Sequence, residues 1–130
     1  MKITLETSDT LQHYVAKNEA GHTVNLSGDD TAAGPMQTVL MAIAGCSTID
    51  IVMILEKMRQ EVTDIKVEVD ATRREEIPRV FTKIHLHYKI YGKVKTKKAE
   101  QAVALSLEKY CSVSKMLEKA AEITSSFEVI

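Results

Sequence analysis

The two cysteines are the residues whose type and setting could do chemistry. Cys46 lies in an apolar helical run, Gly34-Pro35-Met36-Gln37-Thr38-Val39-Leu40-Met41-Ala42-Ile43-Ala44-Gly45-Cys46-Ser47-Thr48-Ile49-Asp50. Cys111 follows a second helical stretch, in Tyr110-Cys111-Ser112-Val113-Ser114-Lys115. They stand too far apart for a CxxC redox loop or a local zinc cluster. Only the fold could bring them together. In a reducing compartment a close thiol pair points to sulfur chemistry, because a purely structural disulfide is rarely kept there.

Each cysteine also has a plain structural reading. Cys46 could fill core space, as free cysteine often does. Gly45 beside it permits close approach of another backbone or of a substrate. Asp50 lies at i+4 on the same helix face, where a carboxylate raises a thiol pKa unless a cation or hydrogen bonds intervene. Cys111 precedes Ser112, an expected N-cap, which would set its sulfur near free backbone amides. Its plain reading is a small buried residue at an interhelix corner.

Other chemistry-bearing residues read as surface. His85 and His87 share one strand face at i, i+2, a spacing two metal ligands could use. Lys83 and Lys89 share that face, so a solvated face is expected and no metal site. Lys93, Lys95, Lys97 and Lys98 form a basic run without the glycines or aromatics that cradle phosphate or stack bases. No P-loop, GxGxxG or GxSxG motif occurs, and no cofactor is expected.

The elements that must position the cysteines follow from periodicity. Residues 2–7, 11–17 and 23–26 read as short strands. Gly34-Pro35 starts a helix expected to reach about Gln60. Its apolar residues cover more than one stripe, so it must be enclosed, and a homodimer sharing it is expected. Residues 63–91 alternate with period 2 around the charged loop at Arg73–Pro78, the mark of a half-buried antiparallel hairpin. Residues 96–110 and 112–121 read as helices, and residues 123–130 as a closing strand. The fold expected is α+β, one domain over 1–130, with a long central helix and helices on one side of an antiparallel sheet.

Composition bounds the partners. The 130 residues carry 17 basic and 18 acidic side chains, so no broad electrostatic footprint for nucleic acid or anionic lipid is expected. The run from Met36 to Leu55 approaches the roughly 20 residues of a bilayer span. Gln37, Thr38, Ser47, Thr48 and Asp50 interrupt it, and a buried core helix is the better reading. The N-terminus lacks the apolar region of a signal peptide, so a cytoplasmic protein with reduced thiols is expected.

Together these residues resemble the OsmC/Ohr family of osmotically inducible and organic hydroperoxide resistance proteins. The resemblance covers nearly the whole chain in element order. It is sharpest at Gly34-Pro35 leading to Ala44-Gly45-Cys46, and at Cys111-Ser112-Val113-Ser114, where the family usually has Cys-Pro-Val-Ser. Pro78-Arg79-Val80-Phe81-Thr82-Lys83-Ile84 also resembles the OsmC-like branch. The resemblance implies an intertwined homodimer and a thiol-dependent peroxidase. By that likeness Cys46 attacks an organic hydroperoxide and becomes a sulfenic acid. Cys111 then resolves it to a disulfide, which an external thiol or dithiol reduces.

The chain departs from the family pattern at two places. No arginine precedes Arg59, and Lys17 is the nearest substitute. The family's glutamate after the proline falls at Met36 or Gln37, neither of them ionisable. A second reading therefore stands beside the first: a redox-inactive OsmC-like dimer that binds a small hydrophobic ligand in an interfacial pocket, with the cysteines as lining.

Overall fold

The N-terminal alternation folds into β1 (Ile3–Thr7), β2 (His13–Asn18) and β3 (Thr23–Ser27), an antiparallel sheet in that order. In the computed structural model, which describes residues 1–130, this sheet belongs to a unit spanning Met1–Met41; Ala42–Ile130 forms a second. The β2–β3 turn uses Gly21 at φ +91°, and Asn18 Oδ1 accepts the His22 amide at 2.9 Å. Register places Leu5, Ala16 and Val24 in one cross-strand row, yet Leu5 and Val24 remain 55% and 53% exposed.

The long helix, α1, spans Pro35–Lys57. Proline is the first helical residue, where its missing N–H costs nothing. The helix stops short of Gln60 because Arg59 adopts a left-handed φ of 59°, and the Gln60 amide turns back to Leu55 O at 2.9 Å. That is the helix-ending geometry usually given to glycine.

Ile43, Ser47, Ile51 and Leu55 are fully buried at successive i+4 steps. Met41, Gly45, Ile49 and Met53 repeat the same step two residues out of phase, about 200° round the helix. Those three large side chains are 58%, 63% and 50% exposed. Both faces of α1 are apolar, and one chain covers only one of them. By length and composition α1 could cross a membrane, but its buried stripe is used as a core face.

In the second unit β4 (Glu61–Arg73) and β5 (Phe81–Lys93) form the expected hairpin, and β6 (Glu122–Val129) lies beside β5. The β5–β6 pair is parallel, so this sheet is mixed rather than antiparallel throughout. The chain makes that pairing through a helical crossover, as parallel neighbours require. Ile84, Leu86, Tyr88 and Ile90 face the core as their alternation indicates. Phe81, which the period-2 alternation of residues 63–91 puts on the polar face with His85, is buried instead. A register shift between Thr72 and Arg73 sets Phe81 opposite Arg73 and moves it to the inner side.

The crossover runs through α2 (Thr96–Leu105), a single π-helical turn (Ser106–Tyr110) and α3 (Ser112–Leu117). The sequence reads 96–110 as one uninterrupted helix. The extra residue in the π turn shows in the bond from the Cys111 amide to Ser106 O at 2.7 Å. Ser114 Oγ donates to Leu107 O at 2.9 Å, satisfying a carbonyl that the wider turn would leave free.

Candidate thiol site

The π turn ends at Cys111, and this corner faces α1 across the core of the second unit. Cys46 Sγ, Cys111 Sγ and a carboxylate oxygen of Asp50 all lie within 4.8 Å of one another. Both cysteines are free thiols; Cys111 is fully buried, while Cys46 and Asp50 are half-buried. Cys46 and Asp50 share a face because they sit one helical step apart.

Cys111 is itself the N-cap of α3, rather than Ser112. Its sulfur accepts the Ser114 amide at 3.4 Å. The sequence favours easy ionisation here, and the structure corrects that. Burial pushes the Cys111 thiol up; the Ser114 amide opposes this, and the Cys46 thiol beside it adds to the rise. One amide bond does not offset loss of water around a thiolate.

Three polar groups that the sequence reading did not single out brace the site. Ser47, on the buried stripe of α1, donates to Ile43 O at 2.8 Å and accepts the Tyr88 hydroxyl at 2.6 Å. Burial pushes the Tyr88 phenol up to about 12; the Ser47 bond opposes this, while Cys111 and Asp50 reinforce it. Tyr88 is therefore a neutral donor. Ser106, first residue of the π turn, shares its one proton between Ser47 O at 3.1 Å and Asp50 Oδ2 at 3.4 Å. A signal for them existed: a serine on an apolar stripe and a tyrosine on an inward strand face both need buried partners. No basic side chain forms an ion pair with Asp50.

Gly45, expected to allow close approach, has nothing beyond its own stretch of helix within 4 Å of where a Cβ would stand. It belongs to the open stripe of α1. His85 and His87 are engaged by β6: His85 contacts Thr124 Oγ1 and Ser126 Oγ at 2.7 and 2.9 Å, and His87 reaches Ser126 Oγ at 2.7 Å. His87 Nε2 also lies 3.5 Å from Glu128.

A cleft of about 390 Å³ opens at Asp50, lined also by Met53, Ile54, Lys57, Leu105 and Tyr110 among others. A larger groove of about 600 Å³ lies between α2, α3 and β6, and no cysteine lines it. The smaller cleft reaches the cluster through Asp50, and neither cysteine lines it.

A long α1 helix carrying one cysteine, set against a helical corner carrying another on a mixed sheet, defines an α+β protein with a thiol pair. The OsmC-like protein family matches residues 28–126, and the chain belongs to that family. It is 48% identical over 120 residues to Protein YhfA of Escherichia coli strain K12, covering 90% of each chain. It is also similar to the crystal structure of a hypothetical protein from Aquifex aeolicus VF5, at 37% identity and a TM-score of 0.91, over 99% of this chain and 95% of that one. An organic hydroperoxide resistance protein OsmC from Legionella pneumophila shares the fold, with a TM-score of 0.74 at 17% identity over 98% and 95% of the two chains.

Proposed function

We propose that this chain is a thiol-dependent peroxidase for organic hydroperoxides. The observation that carries the reading is the approach of the two sulfurs, each within 4.8 Å of the other, with a cleft of mostly apolar residues opening at Asp50 of the same cluster. Cys46 is the better exposed thiol and the first to act. Its sulfur attacks the terminal oxygen of ROOH as the O–O bond breaks; the thiol proton goes to the departing alkoxide, giving ROH and Cys46 sulfenic acid. The Cys111 thiol then attacks the Cys46 sulfur, its proton and the hydroxyl leave as water, and a disulfide forms. That bond needs sulfurs about 2.0 Å apart, so side-chain rotation at Cys46 or movement of the π-turn corner precedes it. An external thiol or dithiol reduces the disulfide and is itself oxidised to a disulfide.

The exposed stripe Met41–Gly45–Ile49–Met53 supports a homodimer in which a second α1 covers the first. Glycine at its centre leaves room for another backbone. The cytoplasm, with its reducing thiol pool, is the compartment that suits two free cysteines.

One observation favours a second reading, in which the dimer binds a hydrophobic ligand without redox turnover. Burial holds Cys111 towards its neutral form, and no cation pairs with Asp50. Hydroperoxide consumption with cumene hydroperoxide and dithiothreitol separates the two. Cys46→Ser should abolish consumption. Cys111→Ser should form one sulfenic acid per chain at Cys46, trapped with dimedone. Label on Cys111 instead would reverse the roles, and no label on either cysteine would leave the ligand-binding reading.

A further inference from the structure

Cys46, Asp50 and Cys111 bring three groups that carry negative charge when deprotonated into one space, with no basic side chain paired to the carboxylate. We propose that, in the reduced chain, these three residues form a binding site for a zinc-class divalent transition-metal ion. The inference does not depend on peroxidase activity; it concerns what the same thiols hold when no oxidant is present.

Donor type and placement both point that way. Two sulfurs and one carboxylate oxygen suit zinc and its chemical neighbours, whereas calcium and magnesium require oxygen-only shells. Cys46 and Asp50 lie at i, i+4 on α1, a spacing that lets two side chains of one helix face reach a common ion. Cys111 supplies the third donor from a separate element, so the set is convergent rather than a local cluster.

The distances are close to those required. Zn–S bonds of about 2.3 Å at tetrahedral angles set sulfurs roughly 3.8 Å apart. The donors here lie within 4.8 Å, about 1 Å beyond that spacing, and Cys46 and Asp50 are only half-buried, which leaves their side chains room to adjust. The surroundings hold the ligands in place. Ser106 Oγ approaches Asp50 Oδ2 at 3.4 Å, and the Ser114 amide donates to Cys111 Sγ at 3.4 Å. Outer hydrogen bonds of this kind orient metal-binding carboxylates and thiolates. With three protein donors, the fourth position is left to water or to a small ligand entering by the cleft beside Asp50. Binding displaces the protons of both thiols.

The test titrates Co(II) into full-length, reduced, chelator-treated protein under argon, with no hydroperoxide present. One ion per chain is expected, with a near-ultraviolet thiolate-to-cobalt charge-transfer band and visible bands of tetrahedral intensity, all displaced by one equivalent of Zn(II). Cys46→Ser and Cys111→Ser should each lose about half of the charge-transfer intensity. Asp50→Asn, nearly isosteric, should keep that band but weaken the affinity by about tenfold or more. Absence of the band in the wild type overturns the site. So does a band whose affinity and intensity are unchanged in all three variants, which places the ion elsewhere. Intact-mass analysis of the same preparation after hydroperoxide reads the peroxidase proposal separately, so either can fail alone.

Discussion

The two sheets of this molecule are both three-stranded, and they are finished to very different degrees. In β4–β5–β6 the inner side chains Ile84, Leu86, Tyr88 and Ile90 are fully buried. In β1–β2–β3 no residue of β1 is buried, and Ile3, Leu5 and Val24 remain more than half exposed. The difference teaches where the chain is self-sufficient. The second unit closes its own core around Ser47, Tyr88 and the thiols. The first leaves Ile3, Leu5 and Val24 exposed, and the outer stripe of α1 leaves Met41, Ile49 and Met53 exposed. Exposed apolar surface of this kind is what the homodimer proposed above would cover.

The sharpest way to break that contrast is a charge on the open stripe. If Ile49 is simply solvent-exposed, Ile49→Asp should shift stability by no more than about 0.5 kcal/mol. If a second α1 covers it, the buried carboxylate costs roughly 3–5 kcal/mol. Sedimentation should then fall from twice the 14.5 kDa chain mass to a destabilised monomer. A wild-type chain that sediments as a stable monomer would defeat the dimer outright.

In the closed unit the effect comes from packing alone. Ile51 is fully buried, and Ile51→Ala should cost about 2–5 kcal/mol in denaturant unfolding. The same truncation at exposed Ile49 should cost far less in a monomer and a comparable amount in a dimer. Gly92, at φ +123°, tests the backbone of the closed sheet: a Cβ there would run into Glu61 O. Gly92→Ala should destabilise by more than about 1 kcal/mol, since alanine disfavours that conformation even without the collision. The smallest effect belongs to Tyr88→Phe. It removes one buried hydrogen bond, yet Ser47 still donates to Ile43 O, so the loss should be about 1 kcal/mol.

Much of this was legible from residue order, because period and burial agree in the long elements. The alternation of Ile84, Leu86, Tyr88 and Ile90, and the all-round apolar character of α1, led directly to the hairpin and the central helix. Three features were not legible. Phe81 turned inward because a register shift depends on cross-strand pairing, which single-strand periodicity does not carry. The π turn inserts one residue without altering the apolar spacing before it. The parallel placement of β6 is decided by where the crossover lands. At the site, the two cysteines stood out by type, whereas Ser47 and Ser106 matter only through the contacts that tertiary packing gives them.

Intact-mass analysis of reduced, chelator-treated protein after one equivalent of cumene hydroperoxide tests the thiol-pair chemistry most directly. The expected product is a chain lighter by two hydrogens, with Cys46 and Cys111 joined in one disulfide-linked peptide pair. An unchanged mass, or slow stepwise gain of oxygen without that linkage, would contradict it.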